Sequence, residues 1–439
     1  MRLLIVSPDY ASHALPLIRI GEAWRRTRGD ATIATGPATR QLVEDAAIDW
    51  ADLRLGAGSN GGVIEVARQP VGEDAHLRAF FDATRLGPVA TLRYQAEARR
   101  RDLLHAPDRV MDRLAEIIDV VRPDRVVVDH VAFGARLAMH ARGVETATVV
   151  LGHPTALPAP GELYGLPPSW PAAMRPDPED LAFLVDRCRA AVEDLREASD
   201  ELIRRRAPRL VPPHDLTSTP GEPTIYVYPE PLHGHERPLP ANHVFVGSLR
   251  RRESLDGIDV PRGTGPRVTV ALGSFLSARS DVLATAVAAA HEGGWRLALA
   301  HGSTPLDQLG ELPPGALVAR HLPQVALLEH TDVMVHHGGN GSVTECAAAG
   351  VPMVVLPFST DQFSGAASVE RNGLGVALAP NELTVATLVD AVERVRGSDA
   401  AERARMVAES IARTGGPDAA VAAIVERGRA VGPISGCGW

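Results

Sequence analysis

The chain has 439 residues, more than one hydrophobic core usually organises, which predicts two domains of roughly 200 residues each. Hydrophobic residues make up 45%, charged residues 23%, and the net charge is -9; this excludes a basic surface tracking nucleic-acid phosphates, and arginine runs such as Arg204 to Arg206 read as solvated helix faces. Three cysteines, Cys188, Cys346 and Cys437, without a CxxC pair, offer neither a disulfide framework nor a zinc knuckle.

In chain order, "RLLIVS" (2–7) is a continuous apolar run, followed by the loop "PDYASHALP" and an amphipathic helix over about 15–28. "DATIATG" (30–36) is the next strand. "DRVVVDH" (124–130) and "TATVVLG" (146–152) flank the helix "AFGARLAMHARG". Short apolar runs separated by helices predict a parallel sheet covered on both faces. The N-terminal run is too short for a secretory signal, and no stretch nears the roughly 18 apolar residues of a membrane span, so a cytoplasmic protein is expected.

Two segments, 56–75 and 153–180, lack periodicity and are rich in Gly and Pro; such stretches inside a domain read as binding loops or lids. A mostly helical stretch then runs to about 206, two short strands fall within 223–266, and a polar linker occupies 250–266. "RVTVALGS" (267–274), "RLALAHG" (296–302), "ALVARHLP" (316–323), "DVMVHH" (332–337) and "PMVVLPF" (352–358) are strands of a second α/β series. The expected organisation is a Rossmann-like domain over 1–249, the linker 250–266, a second Rossmann-like domain over 267–416, and a terminal helix and tail over 417–439. Two doubly wound domains in tandem leave a central cleft at the carboxyl ends of their strands.

"VHHGGNGSVTECAAAGVPMVVLPFSTDQ" (335–362) concentrates the unusual chemistry. An apolar strand ends in two histidines, breaks into glycine, and resumes as a helix over about 342–349. Ser342 and Glu345 also fit a capping box, in which the serine caps the helix and the glutamate reaches back. His336 reads as strand-end packing. "HGH" (233–235) lacks a third ligand for a metal site, and no DxD occurs in the chain.

The segment 321–375, together with "VALGSF" (270–275), "SHALPLIRIGEAW" (12–24) and "PDRVVVDHVAFGARLA" (123–138), resembles the inverting GT-B glycosyltransferases, most closely the bacterial enzymes that decorate macrolides and other natural products. The resemblance spans both halves. It implies an α/β GT-B fold with an N-terminal acceptor domain and a C-terminal domain for a dTDP- or UDP-sugar. It also implies metal-independent inverting transfer of the sugar to a hydroxyl of a small secondary metabolite, with no cofactor beyond the nucleotide-sugar co-substrate. Neither nucleic acid nor membrane is an expected partner, and a monomer or homodimer is expected. Two alternatives stand beside this reading: a GT-B epimerase or hydrolase of nucleotide sugars, and a catalytically silent donor-binding partner protein.

The residues fit that chemistry. A diphosphate gains negative charge as the glycosidic bond breaks, and backbone N–H groups at a helix start suit it. Gly338, Gly339 and Gly341 let the backbone come close, with Asn340 among them. His337, Ser342 and Ser274 correspond to the family's phosphate contacts, Asp361 and Gln362 to its sugar-hydroxyl pair, and Glu345 to its ribose ligand. His321, Leu322 and Gln324 fall where the nucleobase lies; plant members carry tryptophan at the place of His321. His13, expected in a loop, titrates near neutral pH and is the candidate general base. The family's usual glycine before it is Ser12 here. Asp129 matches the activating aspartate.

Overall fold

In the computed structural model, residues 1–427 are described except 67, 68, 214, 220, 235, 236 and 250–252. The expected linker is described from 253 onward, and Cys437, His235 and the tail from 428 lie outside the described residues.

The first half runs β1 (Leu3–Val6), α1 (Ala11–Thr27), β2 (Ala31–Thr35), α2 (Arg40–Asp45), β3 (Asp49–Asp52), α3 (Glu73–Leu86), α4 (Pro88–Asp102), α5 (Pro107–Val121), β4 (Arg125–Asp129), α6 (Phe133–Ala141), β5 (Ala147–Val150), α7 (Pro178–Arg206), β6 (Thr224–Tyr226) and β7 (His243–Phe245). Its strands form one sheet in the order β3-β2-β1-β4-β5-β6-β7, parallel throughout. All four residues of β1 are fully buried, as a strand covered by helices on both faces must be, which is why it reads as an unbroken apolar run.

The second half runs β8 (Arg267–Ala271), α8 (Gly273–Leu276), α9 (Ser280–Glu292), β9 (Arg296–Ala300), β10 (Leu317–Ala319), α10 (Gln324–Leu328), β11 (Val333–His336), α11 (Asn340–Ala349), β12 (Met353–Val355), α12 (Gln362–Arg371), β13 (Gly375–Ala377), α13 (Val385–Arg396), α14 (Ala400–Ala412) and α15 (Gly416–Arg427). The sheet order is β10-β9-β8-β11-β12-β13, again parallel. In each sheet the strand order reverses direction once, between β1 and β4 and between β8 and β11. Those are the crevices where ligands of open α/β sheets bind.

Several elements differ from the sequence expectation. β3 and β13 were not expected: β3 is half-exposed and carries two aspartates, and β13 is a three-residue edge strand starting at glycine. α1 begins at Ala11, so His13 lies in its first turn and not in a loop. The expected start was about residue 15; Pro16 lies inside the helix, near its N-terminus, and forfeits one backbone hydrogen bond. α11 begins at Asn340, two residues before the expected start. α7 begins at Pro178, where the Asp177 carboxylate accepts the N–H groups of Glu179 and Asp180.

Several parts of the chain pack across the halves, Tyr228 and Leu232 among them in a core with Val343 and Val369. α15 returns to the first half, where Ala420, Val421 and Ile424 join a core with Leu17, Ile20 and Trp24 of α1. In the other direction, the irregular segment after β3 and then α3 lie on the second half. Ile64, 2% exposed, and Phe81 are buried in the core of the second sheet with Val268, Val270 and Leu283. Arg279 is fully buried beside them. Its guanidinium holds Asp281 (2.6 Å), Asn381 (2.9 Å) and the Thr84 carbonyl (3.3 Å), tying the end of α3 to the second half.

Because Ile64 is the apolar anchor of the first crossing segment, Ile64→Ala should destabilise the protein by about 2–5 kcal/mol. Urea unfolding measures the loss, and hydrogen exchange should report it first at residues 60–66. Unchanged stability would mean that the segment is held by its polar contacts alone.

Candidate active site

The first crevice brings His13 and Asp129 together. β4 ends at Asp129, whose carboxylate is fully buried, and α1 places the His13 ring across from it, with Nδ1 2.8 Å from Oδ2. A carboxylate only accepts, so Nδ1 carries the proton and Nε2 is left as the free basic nitrogen. The other Asp129 oxygen takes the Val131 N–H at 3.0 Å and lies 3.1 Å from His130 Nδ1. The first turn of α1 is itself held from outside: Asn60 accepts the Ala11 N–H at 2.7 Å and donates its own N–H to the Asp9 carbonyl at 2.9 Å.

Burial alone would lower the His13 pKa. The charge and hydrogen bond of Asp129 outweigh it, Asp361 adds a smaller pull, and the net effect raises the pKa above 6.5. Burial likewise works to raise the Asp129 pKa, but His13 and then His130 hold it well below the usual carboxylate range. The influence of Asp361 on His13 puts both halves of the molecule around one space.

Across the cleft, β11 ends in His336 and His337. His336 is buried and its Nδ1 accepts the Gly338 N–H at 3.0 Å; burial, with a smaller contribution from His337, lowers its pKa to about 3. It packs and caps its own turn, as the sequence suggested. The His337 ring lies between two glycines. A Cβ at Gly273, where φ is +72°, would stand 2.5 Å from Cε1, and one at Gly339 would collide with Nε2. Only glycine lets the backbone approach the ring on both sides. Burial lowers the His337 pKa to about 4, so the ring is neutral, and its Nδ1 is buried without a hydrogen-bond partner.

The N-cap of α11 is Gly339, with no side-chain cap. The capping-box reading of Ser342 is therefore overturned: Ser342 sits in the helix at its third position. Its hydroxyl lies 3.4 Å from the Gln324 amide, and Glu345 takes that amide at 2.6 Å. The first-turn N–H groups stay free of any serine cap, and Gly341 leaves open space above them. Asn340 turns across the cleft and donates to the carbonyls of Leu151 and Val227, each at 2.9 Å.

Asp361 opens α12, presented by Thr360 at φ +46°. A β-branched residue rarely adopts that conformation, and such strain gathers at functional sites. Asp361 Oδ2 accepts the His153 N–H at 2.7 Å across the cleft, and Gln362 Oε1 accepts the N–H groups of Phe358 and Ser359 at 3.0 and 3.2 Å. Ser274 lies in α8, its carbonyl accepting the Ile64 N–H at 2.8 Å. A Cβ at Gly62 would stand 3.5 Å from His321 Nε2, and Glu65 pairs with Arg320, so the crossing segment also covers the 320–322 stretch that holds Leu322. The structure thus brings Gly273, Gln324, Glu345 and Gln362 to the β11–α11 region, pairs His13 with Asp129 at the first crevice, and leaves His321 beside the 62–65 segment. Sequence reasoning missed His130, His153 and the bridging use of Asn340; the strain at Thr360 leaves no mark in the sequence.

Among the described residues no group of three or more His, Cys, Asp or Glu is arranged to hold a metal ion, and no helix is long and apolar enough to cross a membrane. His233 instead bonds the Arg237 carbonyl at 2.7 Å. A separate cavity of about 520 Å³ opens between residues 258–263, Arg267, Arg296 and His330, at the amino ends of β8 and β9 and away from both crevices.

This pairing of two Rossmann-like sheets is the GT-B arrangement. The glycosyltransferase of kitacinnamycin superposes with a TM-score of 0.69 at 22% identity, covering 97% of this chain and 98% of that one. The spinosyn rhamnosyltransferase SpnG, solved with thymidine diphosphate, gives 0.66 at 20% identity, covering 97% and 100%. Residues 280–426 match the EryCIII-like family, described as the C-terminal domain of erythromycin biosynthesis protein CIII-like proteins. The demethyllactenocin mycarosyltransferase of Streptomyces fradiae is 32% identical over 235 residues, which is 51% of this chain and 50% of that protein; the chain spans about half the length of that relative. The fold is thus that of GT-B glycosyltransferase structures, and the C-terminal half carries the similarity to the EryCIII-like family.

Gly339→Ala tests the packing around His337. The added methyl must displace the ring, at an overpacking cost of about 1–3 kcal/mol, and imidazole NMR signals of His337 should shift. A variant with unchanged stability and unshifted signals would show that the ring is not confined as described.

Proposed function

We propose that the protein transfers a sugar from a dTDP- or UDP-sugar to a hydroxyl of a small natural product, with inversion at the anomeric carbon. The observation that carries this reading is the His13–Asp129 pair standing opposite an uncapped, glycine-lined helix start, with Asp361 between them in charge if not in sequence. The named activities of the relatives support it.

In this reaction the acceptor O–H gives its proton to His13 Nε2 while its oxygen attacks the anomeric carbon. The bond from that carbon to the diphosphate oxygen breaks, and an α-linked donor becomes a β-glycoside. Asp129 stabilises the imidazolium that forms and fixes the ring's tautomer, as a carboxylate does in hydrolytic triads. The departing diphosphate meets the N–H groups of α11, the Ser342 and Ser274 hydroxyls and the neutral His337, whose one N–H donates. Asp361 and Gln362 would hold sugar hydroxyls, and His321, Leu322 and Gln324 would line the base. The groups that meet the diphosphate are N–H groups, hydroxyls and a neutral imidazole, which answer its charge by hydrogen bonding.

His13→Ala is expected to lower turnover by roughly 10²- to 10⁴-fold with nucleotide affinity nearly unchanged, since His13 stands on the opposite half. The base must be unprotonated, and its pKa is raised, so kcat/KM should climb with pH along a limb whose midpoint lies above 6.5. Asp129→Asn removes the charge that raises it and should move the limb down while turnover falls. A limb at or below 6.5, indifferent to Asp129→Asn, would take His13 out of the mechanism.

Glu345 accepts the Gln324 amide at 2.6 Å, and in the proposed reaction its carboxylate also accepts a ribose hydroxyl. UDP has a 2′-hydroxyl and dTDP lacks it. A hydrogen bond to a charged group is worth about 1.5–3 kcal/mol, so Glu345→Ala should weaken UDP roughly ten- to a hundredfold and dTDP less. Calorimetric titration with both nucleotides decides, and equal losses would leave Glu345 as a support for Gln324 alone.

A further inference from the structure

The irregular segment over the first crevice covers a cation that the proposed reaction leaves unused. Arg99 lies on α4, and its guanidinium carbon stands 5.1 Å from the ring centre of Tyr164. Tyr164 in turn packs edge-on against Phe133, ring centres 5.5 Å apart, at the start of α6, four residues after Asp129. Burial raises the Tyr164 pKa, Arg99 opposes that, and the charges of Asp361 and Asp129 are both felt at the same hydroxyl. Tyr164 therefore stands between the guanidinium and the start of α6, the helix that follows Asp129.

Arg99 is closely accommodated, yet its Nη1 makes no hydrogen bond. Gly165, at φ +89°, leaves room that a Cβ would take from Nη1 by collision. That Nη1 is buried with no hydrogen-bond partner, and no carboxylate of the described residues pairs with Arg99. Gln95, one turn earlier on the same face of α4, has its Oε1 buried and unpartnered as well. Stacking on Tyr164 satisfies the face of a guanidinium, whereas its N–H groups point out from the edge and need oxygen acceptors. Leaving a buried donor unmet is costly, and arginine in such a place fits planar two-oxygen anions.

We propose that Arg99 is the anion-recognising residue of the acceptor site and that the acceptor carries a carboxylate, with Gln95 accepting a hydrogen bond from the same ligand. The inference rests on the glycosyltransferase reading given above. It also has an electrostatic rationale: an acidic acceptor approaching Asp129 and Asp361 meets two like charges, and a nearby cation offsets their repulsion.

The test uses 6-hydroxy-2-naphthoic acid and its methyl ester, which share a shape and differ in charge. Their affinities are measured by equilibrium dialysis on the full chain with dTDP present. The wild-type protein should hold the acid roughly ten- to a hundredfold more tightly than the ester. Arg99→Gln should weaken the acid to the level of the ester and leave the ester unchanged, and Arg99→Lys should keep part of the preference as a point charge without the fork. Equal binding of acid and ester by the wild type, no binding of either at millimolar concentration, or equal weakening of both by Arg99→Gln overturns the proposal. If Arg99→Gln does not fold, the wild-type contrast and Arg99→Lys decide. Nucleotide affinity on the same samples separates the two readings: intact dTDP or UDP binding without acid preference sinks the role of Arg99 alone, and loss of both nucleotides sinks the glycosyltransferase reading and this one with it.

Discussion

A fully buried carboxylate at the end of β4 has to be compensated, and much of the first half is arranged around that need. Removing an ion from water costs several kcal/mol even after the protein relaxes, unless donors replace its hydration. Asp129 is answered by the His13 ring, by the Val131 N–H and by the neighbouring His130. For His13 to serve, α1 must start within a few residues of β1, and Asn60 supplies the carbonyl that its first turn needs. The segment containing Asn60 continues to Ile64, which is buried in the other half. One buried charge thus couples the start of α1, the segment after β3 and the packing of the two halves.

The halves meet through a mixture of apolar and polar contacts with different tasks. Ile64, Phe81 and the helix α15 bury side chains in the opposite core and supply cohesion. Asn340 and Asp361 supply register. The carbonyls of Leu151 and Val227 emerge at the carboxyl edge beyond β5 and β6, where no further strand residue remains to pair with them, and the Asn340 amide satisfies both. Asp361 does the same for the His153 N–H. The groups at the starts of α11 and α12 are therefore aligned on the first half by backbone groups, whose positions the sheet fixes.

Legibility in the sequence followed the same division. β1, β4, β8 and β11 are buried on both faces, so their residues have to be apolar without interruption, and the parallel sheets could be read from them. The glycines after His337 read as room for a ligand, whereas the packing of Gly273 and Gly339 against the His337 ring joins two strand ends that are distant in sequence. The start of α1 could not be read, because the group completing the helix start, Asn60, lies far along the chain. The Ser342 capping pattern misled for a related reason: a local motif is satisfied only if the helix starts there, and Gly339 lets it start earlier. β3 and β13 escaped because edge strands need no apolar run. His130 and the cross-cleft use of Asn340 depend on the packing of distant strands, and no spacing announces that.

The two sides of the cleft also differ in what holds their groups. On the α11 side the groups available to a ligand are mostly main-chain N–H, and glycine at 338, 339 and 341 matters for what it omits. Such a surface suits a ligand part that is always the same, as a diphosphate is. On the α1 side the groups are side chains on irregular segments: Tyr164 and Gly165 between β5 and α7, Arg99 beneath them on α4, and Asn60 between β3 and α3. Those segments are tethered by Ile64 and Arg279 on one flank and, on the other, by His153 with Asp361, by Arg237 with Glu162 at 2.7 Å and by Trp170 stacked on Phe363, and the residues between the tethers are free of sheet geometry. On the proposed reading, a substitution at Tyr164 or Gly165 changes which molecule is met without touching the strand ends and helix starts that fix His13, Asp129 and α11, whereas Asn60 is tied to the start of α1. Chemistry and recognition are then carried by different kinds of structure within one cleft.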